Sequence, residues 1–270
     1  VYVGGKQFSA RQSAENFDGA ALKEAADLCH LYGAKLYLTV NTLAFDREFD
    51  ALDAWIREAA GCGIDAFLVQ DLGVLALIQE IAPDVPVHAS TQMTIHTKAG
   101  VEWAKQQGFS RVVVSREMSR KELAPLCQCG IEIEHFVHGA LCMSVSGQCS
   151  LSAMIGSRSA NRGRCAQACR LPFSATGKAG VCALSLKDLC LVPYMQQLTA
   201  DGVASLKIEG RRKRPEYVAA AVTALVQARA GVEPDLETLR AAFSRSGFTD
   251  GYYTGKRRNM FGTRQKEDVL

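Results

Sequence analysis

Ten cysteines occur in this 270-residue sequence, and six of them fall close together. Those six are Cys142, Cys149, Cys165, Cys169, Cys182 and Cys190. Their spacing, C-x6-C followed later by C-x3-C, matches neither the paired CxxC of a zinc ribbon nor the cysteine run of a ferredoxin. Clustered thiolates near a cationic loop suit a metal or an iron–sulfur cluster, whose negative charge nearby arginines stabilise. The sequence therefore predicts such a centre here.

The four other cysteines, and Cys182 of the six, fit packing roles. Cys29, Cys62, Cys127 and Cys129 lie in or near helical patterns, and Cys182 lies in an apolar run, where a free cysteine behaves as a small buried residue. Cys142, Cys149 and Cys165 are instead flanked by polar residues or glycine. These three are therefore the stronger candidates for ligands.

The charge distribution favours an anionic partner for the second half of the chain. Apolar residues make up 48% and charged residues 22%, which is typical of a globular protein. The net charge of +3 hides an acidic half, residues 1–134, with 12 basic and 18 acidic side chains. From His135 to Lys187 inclusive there is no Asp or Glu, although six Lys and Arg residues occur. Phosphate, carboxylate or nucleic acid would suit this stretch, and a loop that lacks acids by chance is the alternative.

No targeting or membrane-spanning pattern occurs in the sequence. Its first residues lack a basic segment followed by a long apolar one, and no window offers the roughly 20 apolar residues of a spanning helix. We therefore expect a cytoplasmic protein with reduced thiols and no membrane partner. The chain lacks an initiating Met and opens on a strand-like pattern, so we also expect that a first strand–helix unit is missing.

Short β-rich runs alternate with helical patterns over the first 210 residues. Predicted strands are residues 1–3, 35–40, 66–69, 85–89, 111–114, 131–137 and 205–208, with 181–186 as a further candidate. Predicted helices are residues 19–31, 46–60, 72–82, 97–107, 119–127, 189–200, 215–230 and 236–243. Repeated strand–helix units imply parallel strands joined by crossover helices.

Seven or eight such strands predict an α/β fold of the (β/α) TIM-like barrel type, with a doubly wound open sheet as the alternative. We expect a catalytic barrel over residues 1–231 with a cysteine-rich insertion at 139–190, and a helical and basic C-terminal extension over 232–270. Polar side chains follow nearly every predicted strand, among them Asn41, Gln70, Ser90 and Arg116. A barrel places catalytic groups at this edge, so the pattern predicts an active site there.

Two segments resemble the signature of the collagenase-like peptidase family U32. Residues 134–142 read Glu-His-Phe-Val-His-Gly-Ala-Leu-Cys, and residues 147–152 read Gly-Gln-Cys-Ser-Leu-Ser. The signature has Glu, Phe two residues later, Gly, a small residue, an aliphatic residue and Cys, and then Gly-x-Cys-x-aliphatic-Ser. Every fixed position is met. Residues 161–170, 186–190 and 205–211 resemble further blocks of the family, so the likeness covers most of the chain.

The resemblance implies an iron–sulfur enzyme that hydroxylates RNA without molecular oxygen. Relatives modify the wobble uridine of tRNA or a cytidine of large-subunit rRNA, and others act in ubiquinone synthesis, with prephenate as the implied oxygen donor. The implied ligands of the cluster, a 4Fe-4S centre, are Cys142, Cys149, Cys165 and Cys190. Cys169 competes for the fourth place, because the C-x3-C spacing favours Cys169 while the Lys-Asp-Leu-Cys block favours Cys190.

The remaining site residues are assigned roles by their chemistry and by these blocks. Arg162, Arg164, Lys207, Glu209 and Arg211 are candidates for binding RNA phosphates or a dicarboxylate such as prephenate. Glu134 and His138 are candidates for acid–base catalysis, and an interior ion pair with Lys207 is the alternative for Glu134.

The family name implies a different activity, proteolysis. The sequence has no HExxH helix, and a Cys142–His138 protease would leave the other clustered cysteines without a role. A peptidase remains the alternative enzyme, and a non-catalytic subunit that binds a partner through its basic face is the alternative outside enzymes.

Overall fold

The computed structural model describes residues 1–10, 14, 16–145, 148–175, 178–210 and 213–262. The chain divides into two compact units. Unit 1 comprises Val1–Ile95, Glu102–Val113 and Gly147–Ala166, and unit 2 comprises His96–Val101, Val114–Ser146 and Gln167–Leu270. The clustered cysteines are therefore shared between the units.

The strands and helices follow one another along the chain as the repeated pattern predicts. The strands are β1 (Tyr2–Gly4), β2 (Tyr37–Val40), β3 (Ala66–Val69), β4 (Val87–Ala89), β5 (Arg111–Val113), β6 (Glu132–Ala140), β7 (Phe173–Ala175), β8 (Lys178–Val181), β9 (Asp188–Cys190), β10 (Ser205–Ile208) and β11 (Phe248–Thr249). The helices are α1 (Gly19–Leu31), α2 (Phe49–Gly61), α3 (Leu72–Ile81), α4 (Lys98–Gln106), α5 (Arg120–Leu126), α6 (Leu151–Gly156), α7 (Met195–Ala200), α8 (Pro215–Arg229), α9 (Leu236–Ala242) and α10 (Gly251–Thr254).

Unit 1 is built on a parallel sheet in which β1, β2, β3, β4 and β5 pair in sequential order. All four residues of β3 are buried, as expected for a central parallel strand that is covered on both faces. Because the strands run in one direction, their carboxyl ends lie along a single edge of the sheet. The polar residues that follow β2, β3 and β4 are therefore brought to that edge.

Local sequence signals explain where the helices of unit 1 begin and which face they bury. Asp71 caps α3, since its carboxylate accepts hydrogen bonds from the backbone N–H groups of Gly73 and Val74. On α2, Leu52, Ile56 and Ala59 are fully buried at helical spacing. These side chains form the buried face of the helix.

Unit 2 is built around the long strand β6, which pairs with β10 in parallel and with β9 in antiparallel orientation. β11 extends the sheet as a parallel neighbour of β9, and β7 and β8 form a separate antiparallel pair. The antiparallel pairing of β9 departs from the uniformly parallel arrangement that the repeats predict. It places β9, which carries Cys190, directly beside β6, which carries the first signature segment.

Two predicted elements are wrong. The strand predicted at residues 181–186 is a turn after Val181, and Leu186 forms an isolated bridge with Phe261. The helix predicted from Leu189 begins only at Met195, because residues 188–190 pair with β6 and Pro193 follows within a 3-10 turn. A proline has no N–H to donate within a helix, and the strand pairing outweighs the local helical pattern.

The α/β class with a mostly parallel sheet is confirmed. The closed barrel, the missing first unit, and the division into residues 1–231, the insertion 139–190 and the extension 232–270 stay predictions. No helix among the described residues is long and apolar enough to cross a bilayer.

Candidate functional site

Glu134 forms a buried ion pair in unit 2. Its side chain accepts hydrogen bonds from Lys207 Nζ at 2.5 Å and from Ser205 Oγ at 2.9 Å, and the residue is 4% exposed. The parallel register of β6 and β10 aligns Ser205 with Glu134 and so brings these groups together. The structure thus places Glu134 in the ion pair that the sequence left open as its alternative role. Its acid–base role stays a prediction.

Phe136 lies at the centre of a buried set of charges. The Arg116 guanidinium stacks 3.8 Å from the centre of the Phe136 ring, and Lys207 Nζ lies 5.6 Å from the same point. Arg116 Nη2 also approaches Glu209 Oε2 at 3.4 Å. Two carboxylates and two cations therefore balance one another inside unit 2. Lys207 and Glu209, which the sequence predicts to bind substrate, both have protein partners here.

His138 is enclosed by aromatic side chains in unit 2. Its ring is 1% exposed, stacks on Tyr217 with ring centres 5.6 Å apart, and meets the edge of Phe248 at 5.3 Å. Burial lowers the pKa of His138 to about 4, and the nearby Lys213 ammonium acts in the same direction. The imidazole is therefore neutral at physiological pH, and its predicted acid–base role stays a prediction.

The signature glycine, Gly139, is required by a close approach of two strands. Its φ is +119°, a conformation that side-chain-bearing residues rarely adopt. A Cβ at this position would lie 2.7 Å from Glu209 Cβ and 3.1 Å from the Glu209 carbonyl oxygen. The backbone that follows β10 can therefore pass β6 only because this residue is glycine.

Unit 1 holds Cys149 and Cys165 on one short segment, residues 148–166, here called the cysteine loop. Both are free thiols. The backbone N–H of Leu151 donates to Cys149 Sγ at 3.3 Å, and Ser152 Oγ donates to Cys165 Sγ at 3.9 Å. Hydrogen bonds to sulfur stabilise thiolate ligands and tune the metal centres that they hold. Each sulfur thus has one hydrogen-bond donor within the loop.

Carboxamide side chains fasten the cysteine loop to the carboxyl edge of the unit 1 sheet. Asn161 Nδ2 donates to Gln70 Oε1 at 2.6 Å, and the Leu43 N–H donates to Asn161 Oδ1 at 3.0 Å. Gln148 Nε2 donates to the Gln92 carbonyl oxygen at 2.7 Å. The polar residues predicted to line this edge therefore hold the segment that carries two of the candidate ligands.

Arg162 anchors the same loop through a two-point ion pair. Its Nη1 and Nη2 donate to the two carboxylate oxygens of Glu48 at 2.7 and 2.6 Å, and Nη2 also donates to the Leu43 carbonyl at 2.8 Å. The guanidinium stacks on Phe45 at 4.7 Å. A cleft of about 200 Å³ adjoins the pair, lined by Gln7, Phe8, Ser9, Thr42, Glu48 and Arg162. Arg162 is thus occupied by protein groups, whereas Arg164 is exposed.

Replacing Glu48 with Gln is expected to lower the free energy of unfolding by about 1–2 kcal/mol at neutral pH, because the charge-assisted bonds to Arg162 are lost. Arg162 lowers the pKa of Glu48 from 4.5 to about 2. The stabilisation is therefore complete above the unfolded-state pKa and is lost as the pH falls through the folded-state pKa. Urea unfolding of the wild type and of Glu48→Gln between about pH 5 and pH 2 should show that the difference in their free energies of unfolding shrinks as the pH falls.

Asp53→Asn is the control, because Asp53 forms an exposed pair with Arg57. This substitution should lower the free energy of unfolding much less. An equal loss would contradict the anchoring role of Glu48.

Unit 2 carries Cys142, Cys169 and Cys190, of which the first two are half-buried. Cys190 is 6% exposed, and burial raises the pKa of its thiol to about 11. It lies opposite His138 in the antiparallel register of β6 and β9. The buried Arg170 ties the neighbouring backbone together, donating to the carbonyl oxygens of Leu186 and Leu141 at 2.6 and 3.2 Å.

The candidate ligands fit a thiolate-bound metal in part. Neither Cys149 nor Cys165 is in a disulfide, both are at least partly exposed, and both are hydrogen-bonded at sulfur. Within the described ranges, no group of three or more His, Cys, Asp or Glu side chains lies close enough together to hold a metal ion. The complete ligand set therefore stays a prediction. Arg211, another predicted substrate-binding residue, lies outside the described residues.

The residues found in this site differ in how far sequence patterns indicate them. Ser152 is a fixed position of the signature, so a role for it was discoverable, although not its contact with Cys165. Glu48 carries no such signal, since it is one of several acids at the start of a predicted helix. Of the cysteines assigned to packing, Cys62 is buried as expected, and Cys29, Cys127, Cys129 and Cys182 are half-buried.

The comparisons with known proteins agree with the sequence motifs. The model of peptidase family U32 matches residues 1–261. The chain is 34% identical over 236 residues to the tRNA hydroxylation protein P1 of Bacillus subtilis, with 83% of this chain and 56% of that protein covered. It is 40% identical over 228 residues to the 23S rRNA 5-hydroxycytidine C2501 synthase of Escherichia coli, with 81% and 34% covered.

A third relative carries the name of a protease. The chain is 33% identical over 289 residues to a collagenase of Porphyromonas gingivalis, with 95% of this chain and 69% of that protein covered. The chain spans about half the length of the Bacillus subtilis relative and about a third of the Escherichia coli relative.

Proposed function

The chain belongs to peptidase family U32, and we propose that it is an enzyme, or the catalytic part of one, that hydroxylates a pyrimidine of tRNA or rRNA without molecular oxygen. The observation that carries the proposal is its likeness to two relatives named for RNA hydroxylation, at 34% and 40% identity over four fifths of the chain. Prephenate is the proposed oxygen donor.

We propose further that Cys142, Cys149, Cys165 and Cys190 hold an iron–sulfur cluster, with Cys169 as the competitor for the fourth place. Support comes from the free thiols, from the hydrogen bonds to Cys149 and Cys165, and from the absence of acidic residues between positions 135 and 187. A bound cluster supplies one-electron chemistry. The chain's contribution is to fix its ligands, which the Asn161 and Arg162 contacts do for the cysteine loop.

The anionic groups of the substrate need a cation that is not already paired. Arg162 is bound to Glu48, and Lys207 to Glu134, so their charges are largely satisfied within the protein. Arg164 is exposed in the acid-free segment and can present its guanidinium to an RNA phosphate or a carboxylate of prephenate. Among the described candidates, Arg164 is therefore the one we assign to substrate binding.

Deleting the gene is expected to remove one hydroxylated pyrimidine from cellular RNA. Mass spectrometry of nucleosides from purified tRNA and rRNA would identify the lost base, and a plasmid carrying the whole protein should restore it. A plasmid carrying Cys149→Ser should not restore it, whereas Cys29→Ser should, because Cys29 lies on α1 and is not a candidate ligand. Unchanged nucleosides in the deletion strain, grown with and without oxygen, would contradict the proposal.

A peptidase is the second candidate, favoured by the collagenase relative, which aligns with 95% of this chain. A Cys142–His138 pair would be the obvious nucleophile and base. The 1% exposure of His138 argues against it, because a substrate peptide cannot reach a ring enclosed by Tyr217 and Phe248. Metal-free protein that cleaves gelatin while RNA nucleosides stay unchanged would favour the peptidase. RNA binding without either activity would favour a non-catalytic subunit.

A further inference from the structure

The cleft beside the ion pair of Arg162 and Glu48 in unit 1 has no role in the proposed chemistry so far. We propose that it binds the target base itself, one pyrimidine ring of the RNA that is turned out of its stack. The site deepens the proposed function and rests on it, because this base is the one whose hydroxylation is proposed. A pocket for such a base needs a suitable size, a ring to stack against and hydrogen-bonding groups for the edge of the base.

The position and size of the cleft suit a single ring. Gln7, Phe8 and Ser9 follow β1, and Thr42 follows β2, its parallel neighbour. These residues therefore lie beyond the carboxyl ends of the strands, where parallel α/β sheets bind ligands. The volume is about 200 Å³. A cavity of about 150 Å³ holds a benzene ring, whereas drug-sized ligands occupy about 300–1,000 Å³. A pyrimidine ring with its exocyclic groups fits between these limits.

Thr42 supplies a hydroxyl that needs a partner. The residue lines the cleft and is only 4% exposed, and its hydroxyl makes no hydrogen bond with the described residues. The neighbouring hydroxyl of Ser9 differs, because its Oγ lies 3.1 Å from Thr39 Oγ1. A buried hydroxyl without a partner is unfavourable, so a ligand that donates to Thr42 or accepts from it is stabilised in the cleft.

The charges around the cleft favour a neutral ligand. Arg162 and Glu48 neutralise each other, and Arg162 uses three of its five N–H donors on Glu48 and on the Leu43 carbonyl. The cleft thus offers remaining donors without an unpaired positive charge. A dicarboxylate would bring two negative charges close to the Glu48 carboxylate. A pyrimidine base carries no charge and presents both donors and acceptors, so the observations favour the base.

Phe8 supplies a ring to stack against. Its φ is +57°, a conformation that bulky residues rarely adopt, and the residue is 9% exposed while it lines the cleft. Backbone strain of this kind occurs where a side chain is held for function. An aromatic ring stabilises an unstacked base through its face. The phosphate of the same nucleotide stays outside the cleft, and the exposed Arg164, two residues after Arg162, is the cation that we assign to it.

Three variants of the whole protein test the base site. Thr42→Val removes the hydroxyl at nearly constant shape, and Thr42→Ser keeps it. Thr223→Val is the matched control, because it makes the same change at an exposed position of α8. Circular dichroism and thermal melting establish that each variant folds. The probes are short oligoadenylates with one central uridine, cytidine or abasic site, and their affinities are measured by fluorescence anisotropy at one salt concentration.

We expect the wild type to bind the better pyrimidine probe about tenfold more tightly than the abasic probe, because the abasic probe lacks the stacking and hydrogen bonds of the base. Thr42→Val should lose most of this preference while its affinity for the abasic probe stays the same. Thr42→Ser should keep the preference, and Thr223→Val should match the wild type.

A wild type that does not prefer a pyrimidine, or a folded Thr42→Val that keeps the full preference, would overturn the base site alone. Malonate is the probe for a dicarboxylate. Malonate binding that Thr42→Val abolishes, without any pyrimidine preference, would assign the cleft to a carboxylate ligand and overturn the inference. Unchanged RNA nucleosides in the deletion strain would instead overturn the proposed function.

Discussion

Replacing Glu134 with Gln is expected to lower the free energy of unfolding by about 3–5 kcal/mol, because it leaves the Lys207 ammonium buried without its countercharge. The side chains of Glu134 and Lys207 are 5% and 8% exposed, so water cannot take the place of the lost partner. Equilibrium unfolding in urea measures the loss. The effect should exceed that of any single surface charge in the chain.

The double variant Glu134→Gln with Lys207→Met supplies the control. If the two groups act chiefly on each other, the double variant should be more stable than the sum of the single losses predicts, and the difference is their coupling energy. Asp27→Asn, in the exposed pair with Lys23, should change the stability very little. A small loss for Glu134→Gln, with no coupling to Lys207, would show that Glu134 is not a structural charge and would favour the acid–base role.

The signature segment on β6 therefore encodes packing as well as chemistry. Glu134 pairs with Lys207, Phe136 contacts two cations, and Gly139 permits the close approach of the backbone at Glu209. Leu141 is 3% exposed, and its carbonyl accepts a hydrogen bond from Arg170. A motif recognised as functional thus includes residues that build the sheet beside Cys142, which explains why a sequence match alone cannot separate catalytic from structural positions.

The sequence predicted the elements whose signals are local. The four buried residues of β3 and the periodic apolar face of α2 depend on neighbours a few positions apart, and both were placed within a few residues. The strand β9 could not be predicted, because Asp188–Cys190 extends only by pairing with β6, much earlier in the chain. Local propensity favoured a helix there, and the distant pairing decided the outcome.

The same distinction holds for the site. The candidate cysteine ligands and the lack of acidic residues around them can be predicted, because cysteine spacing and local composition are features of the sequence itself. The bond between Arg162 and Glu48 joins residues 114 positions apart, and nothing in either segment indicates its partner. The chemistry of Arg162 and its place in a family-like block predict substrate binding, whereas the structure shows that the Glu48 carboxylate of the protein already binds its guanidinium.

Substituting the candidate ligands is expected to have the largest effect on the cofactor. Cys142→Ser, Cys149→Ser and Cys165→Ser should each lose the iron, the labile sulfide and the broad visible absorption of the reconstituted protein, because a serine hydroxyl is a poor ligand for such a cluster. Cys29→Ser, on α1, should retain all three and is the control. Retention of full iron by the three ligand variants would contradict the proposed cluster.

The same measurement decides between Cys190 and Cys169. Cys190 lies on β9, where pairing with β6 fixes the backbone, whereas Cys169 lies in the three-residue 3-10 turn Ala168–Arg170. Ligands on rigid elements hold their geometry more accurately than ligands in turns. We therefore expect Cys190→Ser to lose the cluster and Cys169→Ser to keep it. The opposite result would transfer the fourth position to Cys169 and make the C-x3-C spacing the stronger signal.

The uptake of the cluster by the wild-type protein should increase with pH. Burial raises the pKa of the Cys190 thiol to about 11. A thiol must lose its proton to become a metal ligand, so a higher pH favours binding at Cys190.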